Sequence, residues 1–322
     1  MRLPTRLQAA IEHEASGHSL GSLAKAAAEL SDSYRLRQQG TERLVASEAQ
    51  RIAYAVVRLP ATFAAVQAVF AEIRRLMPEL CANSLLDLGA GPGTAAWAAT
   101  EVFPEVQKIT LIERDVDLIR LGRGFAQHSE HAALRDAEWQ AVDLRMNISY
   151  PRHDLVVCSY SLGEIDDHAA RNALKPAWQA ATQVIAIIEP GTTKGFSVIR
   201  MLRDELIQAG GHPVAPCPHE QPCPMAGGDW CHFSQRFERS SPHRRIKGAE
   251  LGYEDEKYSY IAAAKYPVNA ARARVIRHPL RHSGYTQLQL CTRENLTGRT
   301  VTKKDKGAWK RARKTGWGDA WE

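Results

Sequence analysis

The sequence predicts an α/β protein built on a parallel, doubly wound sheet, with a helical segment ahead of the sheet and a Cys-rich insertion late in it. Three observations carry this reading. Short apolar runs recur at Leu85–Leu88, Lys108–Glu113, Glu138–Val142, Leu155–Cys158 and Val184–Glu189. Stretches of helical periodicity stand between and after them, at 94–102, 115–128, 168–181 and 195–209. A glycine-rich turn, Gly89-Ala90-Gly91-Pro92-Gly93, follows the first run directly. Alternating strand and helix units imply a parallel sheet between two helical layers. Ligands of such sheets bind at the carboxyl ends of the strands, where the strand order reverses.

In chain order, residues 1–79 read as a helical region: Leu3 to Leu30 carries apolar residues at three- and four-residue spacing, and Leu44 to Met77 repeats the pattern with a break at Leu59-Pro60. Residues 80–209 form the core just described. Residues 210–256 interrupt the rhythm with Gly210-Gly211, a cluster of prolines and three cysteines, and read as an inserted loop. Within 257–295, the strand-like runs Tyr258–Ala263 and Gln287–Cys291 suit an antiparallel pair closing the sheet. Residues 296–322 are basic and dotted with tryptophan, and read as an extended tail.

Composition bounds the function classes. The chain has 322 residues, 44% hydrophobic and 24% charged, which is the balance of a globular protein with a sizeable core. Its longest apolar runs are far too short to span a bilayer, so no membrane partner is expected. The N-terminal segment contains Glu12, Glu14 and Glu29 and has no signal-like apolar region, which argues against secretion or an organellar leader and predicts a cytoplasmic protein. Net charge is +6, with a pI near 9.0. The surplus lies in the last third, in Arg244, Arg245 and Lys247 and in Lys303, Lys304, Lys310, Arg311, Arg313 and Lys314, with Trp309, Trp317 and Trp321 interleaved. Such a pattern suits phosphate pairing and base stacking on RNA.

The turn after the first run carries the cofactor chemistry. Glycines are needed where the backbone turns sharply or approaches a ligand, and the N-terminus of the helix that follows offers free N–H groups to a carboxylate. Gly89, Gly91 and Gly93 stand at alternate positions after Asp87, which differs from the dinucleotide spacing and resembles the first motif of class I S-adenosylmethionine-dependent methyltransferases. Glu113, ending the next strand, is placed to accept hydrogen bonds from ribose hydroxyls. Asp143, after the third, is placed like the residue that meets the adenine in that fold. The fourth strand runs into Ser159-Tyr160-Ser161-Leu162-Gly163-Glu164. It lacks the Asn/Asp-Pro-Pro-aromatic signature of amino-group methylases and the Pro-Cys of pyrimidine-carbon methylases, and Cys158 reads as a small buried residue. Glu164 and Tyr160 are the candidate general bases, each equally readable as a cofactor-side or structural contact.

Six cysteines in a chain with no secretory signal point to thiols or a metal site rather than disulfides. Cys217, Cys223 and Cys231 lie in one Pro-rich segment, and Cys291 follows at a strand end. The gaps are wider than zinc knuckles use, and four thiolates of irregular spacing suit an iron–sulfur cluster. Zinc, with His219 or His232 as a ligand, and the absence of any metal remain open on spacing alone.

Taken with Trp230-Cys231-His232-Phe233, Arg239-Ser240-Ser241-Pro242-His243-Arg244 and the Trp309–Trp321 tail, these motifs resemble the methyltransferase-like family of mitochondrial small-ribosomal-subunit assembly factors, in particular its bacterial relatives. The resemblance runs from about residue 40 to the end. It implies a four-iron, four-sulfur cluster on Cys217, Cys223, Cys231 and Cys291, and cofactor contacts at Gly89, Gly91, Glu113 and Asp143. It also implies binding of small-subunit ribosomal RNA on the immature subunit. A catalytically active rRNA methyltransferase is the alternative, and a redox-sensing RNA-binding protein a third.

Overall fold

The computed structural model describes residues 1–36, 45, 47–146 and 148–322; Leu44, where the second helical run was expected to begin, lies outside them. Four helices precede the sheet: α1 (Thr5–Ser16), α2 (Leu20–Leu36), α3 (Glu48–Val57) and α4 (Leu59–Leu76). Helix α3 opens with a capping box in which Ser47 and Gln50 satisfy each other's backbone N–H groups. The expected break falls at Arg58, where Pro60 in the first turn of α4 forbids a continuous helix and the axes bend by 45°. Phe63, Phe70 and Ile73 bury α4 against the sheet and its neighbouring helix. Among the described residues no single helix is long and apolar enough to cross a membrane.

The main sheet has eight strands: β1 (Ser84–Leu88), β2 (Lys108–Glu113), β3 (Glu138–Ala141), β4 (His153–Ser159), β5 (Ala181–Pro190), β6 (His212–Ala215), β7 (Phe233–Glu238) and β8 (Tyr253–Ala264). They lie in the order β3-β2-β1-β4-β5-β8-β6, with β7 also paired to β8. Strands β1 to β5 are parallel, and β8 runs antiparallel to β5, β6 and β7. Helices α5 (Thr94–Val102), α6 (Val116–Ala126), the short α7 (Ala132–Arg135), α8 (Asp167–Ala180) and α9 (Thr193–Gln208) connect the parallel strands, within a residue or two of the expected bounds. The central strands are almost wholly buried and apolar in their middles, because both faces are covered. The order reverses between β1 and β4, so their carboxyl ends flank the crevice.

Three expectations differ from the structure. Residues 210–256 are more than a loop, since they contribute β6, β7 and α10 (Ser241–Lys247). Strand β8 closes the sheet as expected, but its partners are β5, β6 and β7, and Gln287–Cys291 belongs elsewhere. That run lies in β11 (Tyr285–Thr292), part of a second sheet with β9 (Ala273–Val275), β10 (Leu280–Arg281), β12 (Leu296–Thr302) and β13 (Ala320–Trp321). The physical reason is visible in its burial: β11 alternates exposed and buried residues, as a one-sided antiparallel sheet requires, whereas the second half of β8 is buried on both faces. The final residues are likewise no extended tail. Helix α11 (Lys306–Ala312) and β13 pack Ala308, Ala312 and Trp321 on Val275, Leu288, Leu290 and Val301 in a core of their own.

Candidate functional site

A cavity of about 450 Å³ opens at the carboxyl ends of β1 to β4, a size within the range of cofactor sites. Its floor is the glycine turn. Gly89, Gly91 and Gly93 have φ of +75°, +54° and +81°, values that side chains rarely adopt. A Cβ at Gly89 would lie 2.3 Å from Ser161 Cβ, while one at Gly91 would meet nothing within 4 Å. Gly89 is therefore required by packing, and Gly91 keeps the floor open to a ligand. Gly93 caps α5 and directs that helix's free N–H groups at the cavity.

Glu113 lines the cavity and orients the turn: its carboxylate accepts from the Gly91 N–H at 2.9 Å and from the Asp115 N–H at 2.8 Å. Burial raises its pKa, partly offset by those amides. Asp143 lines the opposite wall, with Arg145 N–H and Nε–H each donating to it at 2.9 Å; this pairing holds the carboxyl down at about 2. Asp87 lies beneath the turn rather than in the wall. It is 0% exposed, neither oxygen has a partner among the described residues, and burial pushes its carboxyl up to about 8. The buried Thr94 hydroxyl, in the wall, is also without a partner. Buried polar atoms of this kind are costly unless a ligand or water meets them. The cavity thus offers helix N–H groups to a carboxylate, Glu113 to hydroxyls and Asp143 to an amine.

The two candidate bases fare differently. Tyr160 ends β4 in a left-handed conformation (φ +55°), and its hydroxyl donates to Glu256 Oε1 at 2.9 Å. Burial and the neighbouring Glu256 hold the phenol well above its ordinary pKa, so it is unsuited to accept a proton. Glu164 closes a single 3-10 turn (Leu162–Glu164) and faces the cavity. That turn is fixed by Glu189, which the sequence reading passed over. Buried at the end of β5, it accepts from the Gly163 N–H at 2.9 Å, and burial pushes it up to about 8. Also unforeseen are Tyr54 of α3 and Thr62 of α4, which line the cavity and make the N-terminal helices part of it. The sequence signal for Glu189 was an acid ending an apolar run; for the two helices there was none.

The four cysteines are brought together. Cys217, Cys223, Cys231 and Cys291 line one cavity between α9 and the second sheet, walled by Phe196, Met225 and Ile276. Arg203 Nε donates to Cys217 Sγ at 3.3 Å, and His219 Nε2 stands 3.7 Å from Cys291 Sγ. Burial and mutual repulsion raise Cys231 well above the ordinary thiol value and push Cys291 to about 12. Among the described residues no group of three or more His, Cys, Asp or Glu is arranged to hold a metal ion, so neither the iron–sulfur nor the zinc expectation is met by a preformed site. His232 is instead stacked on Trp230 at 5.0 Å and meets Trp317 edge-on at 4.8 Å.

The basic residues lie in two regions. Arg244 and Arg245 are exposed on α10, while Lys247 donates to Glu254 at 2.9 Å. Lys310 and Arg311 are exposed on α11, Lys303 and Lys304 in the turn between β12 and α11, and Arg313 and Lys314 just after α11. Residues 273–322 hold twelve Lys or Arg against four Asp or Glu. The tryptophans are committed to packing rather than free to stack. Trp321 is buried with Arg299 and Arg311 each 5.6 Å from its ring, Trp317 meets His278 at 4.6 Å, and Trp309 is half-buried beneath Arg313.

The strand order and the antiparallel β8 are those of the class I S-adenosylmethionine-dependent methyltransferase fold, as expected. Among solved structures, the chain is similar to magnesium protoporphyrin IX methyltransferase from Synechocystis with bound SAM, at 12% identity and a TM-score of 0.42, covering 73% of this chain and 90% of that one. Among curated proteins it is similar to the human ribosome assembly protein METTL17, mitochondrial, at 26% identity over 298 residues, covering 86% of this chain and 64% of the relative. It is also similar to the Rsm22-cox11 tandem protein 2, mitochondrial, of Schizosaccharomyces pombe, at 24% identity, covering 85% of this chain and 43% of the relative. The chain therefore spans less than two thirds of the length of either relative. These names overturn the expected bacterial, cytoplasmic location, since both relatives are mitochondrial. The acidic residues behind that expectation, Glu12 and Glu14, sit on the solvent side of α1, whose Leu7, Ala10 and Ile11 are buried, so they report on a folded helix rather than an address. The profile of the mitochondrial small ribosomal subunit protein Rsm22 matches residues 48–322, and the chain belongs to the Rsm22 family.

Proposed function

We propose that this protein binds S-adenosylmethionine in the cavity over Gly89–Gly93 and a four-iron, four-sulfur cluster on Cys217, Cys223, Cys231 and Cys291, and that it uses its basic second sheet to bind small-subunit ribosomal RNA during subunit assembly. The observation that carries this reading is the origin of the four thiols. Three come from the segment joining β6 to β7, and the fourth from β11 of the basic sheet, so a cluster held by all four joins the two. The donor set suits the group: four thiols in one lining, an apolar wall, an N–H donor from Arg203 on Cys217 sulfur, and the His219 ring near Cys291. The cofactor fit rests on the open floor at Gly91, on Glu113 and Asp143 in the walls, and on the unpartnered Thr94 hydroxyl beside them. When bound, S-adenosylmethionine supplies an activated methyl group. The relatives' names place two of them in ribosome assembly or in the Rsm22 family, which supports the choice of partner.

Arg244, Arg245, Lys303, Lys304, Lys310, Arg311, Arg313 and Lys314 supply exposed charge for RNA phosphates, and each contact formed displaces counterions, so binding should weaken steeply with salt. A second reading, methyl transfer to that RNA, is favoured by Glu164, a carboxylate that lines the cavity.

The test uses anaerobically purified protein, methyl-labelled S-adenosylmethionine and immature small subunits from cells lacking the gene, with Gly91→Arg as control. Bound particles without label in the RNA support an assembly factor. Label that vanishes in Gly91→Arg makes the protein a methyltransferase instead. Particles that fail to bind, or that bind equally well to Cys223→Ser, overturn the reading that the cluster shapes the RNA surface.

A further inference from the structure

Arg274 is the largest fully buried side chain in the protein, 1% exposed at the start of the second sheet. A buried guanidinium is costly unless its charge and its donors are met. Most of its donors are met across element boundaries. Nε donates to the Pro216 carbonyl at 3.0 Å, and Nη1 donates to the Gly318 carbonyl at 2.9 Å and pairs with Glu72 of α4. The residue thus ties β9 to α4, to the turn ahead of Cys217 and to the loop before β13.

Two things are left over. Arg274 Nη2 is buried without a partner among the described residues, and the side chain lines the four-cysteine cavity. The neutralising charge is also shared, because Glu72 accepts from Arg75 Nε and Nη2 at 2.8 and 2.9 Å as well. One carboxylate therefore serves two guanidiniums, of which Arg75 is half exposed and Arg274 is the buried one that lines the thiol cavity. Arg203 is a second buried guanidinium in the lining, with its Nη2 on the His219 and Gln221 carbonyls, its Nε on Cys217 and its Nη1 paired with Asp204 at 2.7 Å.

We infer that Arg274 is the positioning residue of the four-cysteine centre: its remaining N–H and its charge meet the anionic cluster while its other donors clamp the basic sheet to the core. The inference rests on the iron–sulfur reading above. Four thiolates around a four-iron, four-sulfur cubane make a dianion when oxidised and a trianion after one-electron reduction, the charge that a buried guanidinium in the lining would offset. Occupancy of the cavity and docking of the second sheet are then one coupled equilibrium.

The test compares full-length wild type, Arg274→Gln, Arg274→Lys and Glu72→Gln, each reconstituted anaerobically, with iron and sulfide assayed first. The readouts are the cluster's midpoint potential and the rate of tryptic cleavage in the segment joining β8 to β9, where Arg272 is exposed. Arg274→Gln is expected to lower the midpoint and to speed cleavage by on the order of tenfold, since breaking a buried pair costs at least that much. Glu72→Gln should move the midpoint the opposite way, because it removes a negative charge. Arg274→Lys should hold the midpoint near wild type yet still be cleaved faster, because an ammonium cannot span Pro216, Glu72 and Gly318. Should Arg274→Gln not fold, the last two variants decide. Wild type without iron and sulfide removes the cluster reading and this inference together. A loaded wild type whose variants match it in midpoint and cleavage overturns the role of Arg274 alone.

Discussion

Gly91→Ala should separate cofactor binding from folding. The residue sits at φ +54°, where an L side chain costs about 1 kcal/mol, and its new methyl would meet no protein atom within 4 Å. Folding should therefore lose about 1 kcal/mol, a drop of roughly 2–4 °C in Tm for a chain of this size. The adjacent control is Gly89→Ala. There the same backbone strain is joined by a Cβ 2.3 Å from Ser161 Cβ, and Ser161 is itself held by donating to the Leu88 carbonyl at 2.9 Å. That variant should lose several kcal/mol, on the order of 2–4, through overpacking and strain. In the cavity the ranking reverses, because the Gly91 methyl occupies the open floor. Affinity for S-adenosylhomocysteine should fall at least tenfold, about 1.4 kcal/mol. Titration calorimetry and thermal melts of both variants make the comparison. Affinity within twofold of wild type for Gly91→Ala would show that the turn does not contact the cofactor. A melt as low as that of Gly89→Ala would refute the packing argument.

Trp321→Ala should cost about 3–5 kcal/mol and release the second sheet to hydrogen exchange, because the ring is buried in that sheet's core; exchange unchanged from wild type would return the last residues to the status of a loose tail. Asp143 has a folded pKa of about 2, below its ordinary value, so its contribution is fully present above about pH 5 and is lost as the pH falls toward 2. Partial solvent exposure reduces that contribution to about 1 kcal/mol, and Asp143→Asn should flatten the acid limb of the stability curve by that amount. Tyr160→Phe should cost about 1–2 kcal/mol by leaving buried Glu256 short of a donor. The same change should leave cofactor affinity within twofold, and a larger loss measured by calorimetry would mean that the phenol touches the ligand.

Local chemistry was legible in the sequence and long-range pairing was not. The Gly89–Gly93 turn, Glu113 and Asp143 each announce themselves by position relative to an apolar run, and the structure sets all three around one cavity. The cysteines were visible as residues and found their common cavity only through the fold. Strand β11 was assigned to the wrong sheet because an apolar run carries no label for its partner, although its alternation with Gln287 and Gln289 signalled one wet face. Tyr54 and Thr62 were missed because helical periodicity shows that a face is buried and not what covers it. Arg274 stands in the sequence as one more arginine beside Arg272 and Arg277. Arg272 stands just ahead of β9 and is exposed, whereas Arg274 lies inside that strand and is buried, and nothing in the residue types distinguishes them.

The order in which the chain emerges during synthesis gives the cysteine cavity a place in time. Strands β6 and β7 are made before β8, the strand that both must pair with, so they wait unpaired until residue 264 is available. Cys291 comes later still, and Gly318, which braces Arg274, almost at the end. Strands β1 to β5 precede all four of these cysteines, and the cavity becomes complete only once Cys291 and Gly318 are free to fold. A truncated product would retain most of the nucleotide-type pocket and lack the fourth thiol, so that filling the cavity reports that the basic sheet has been made and docked.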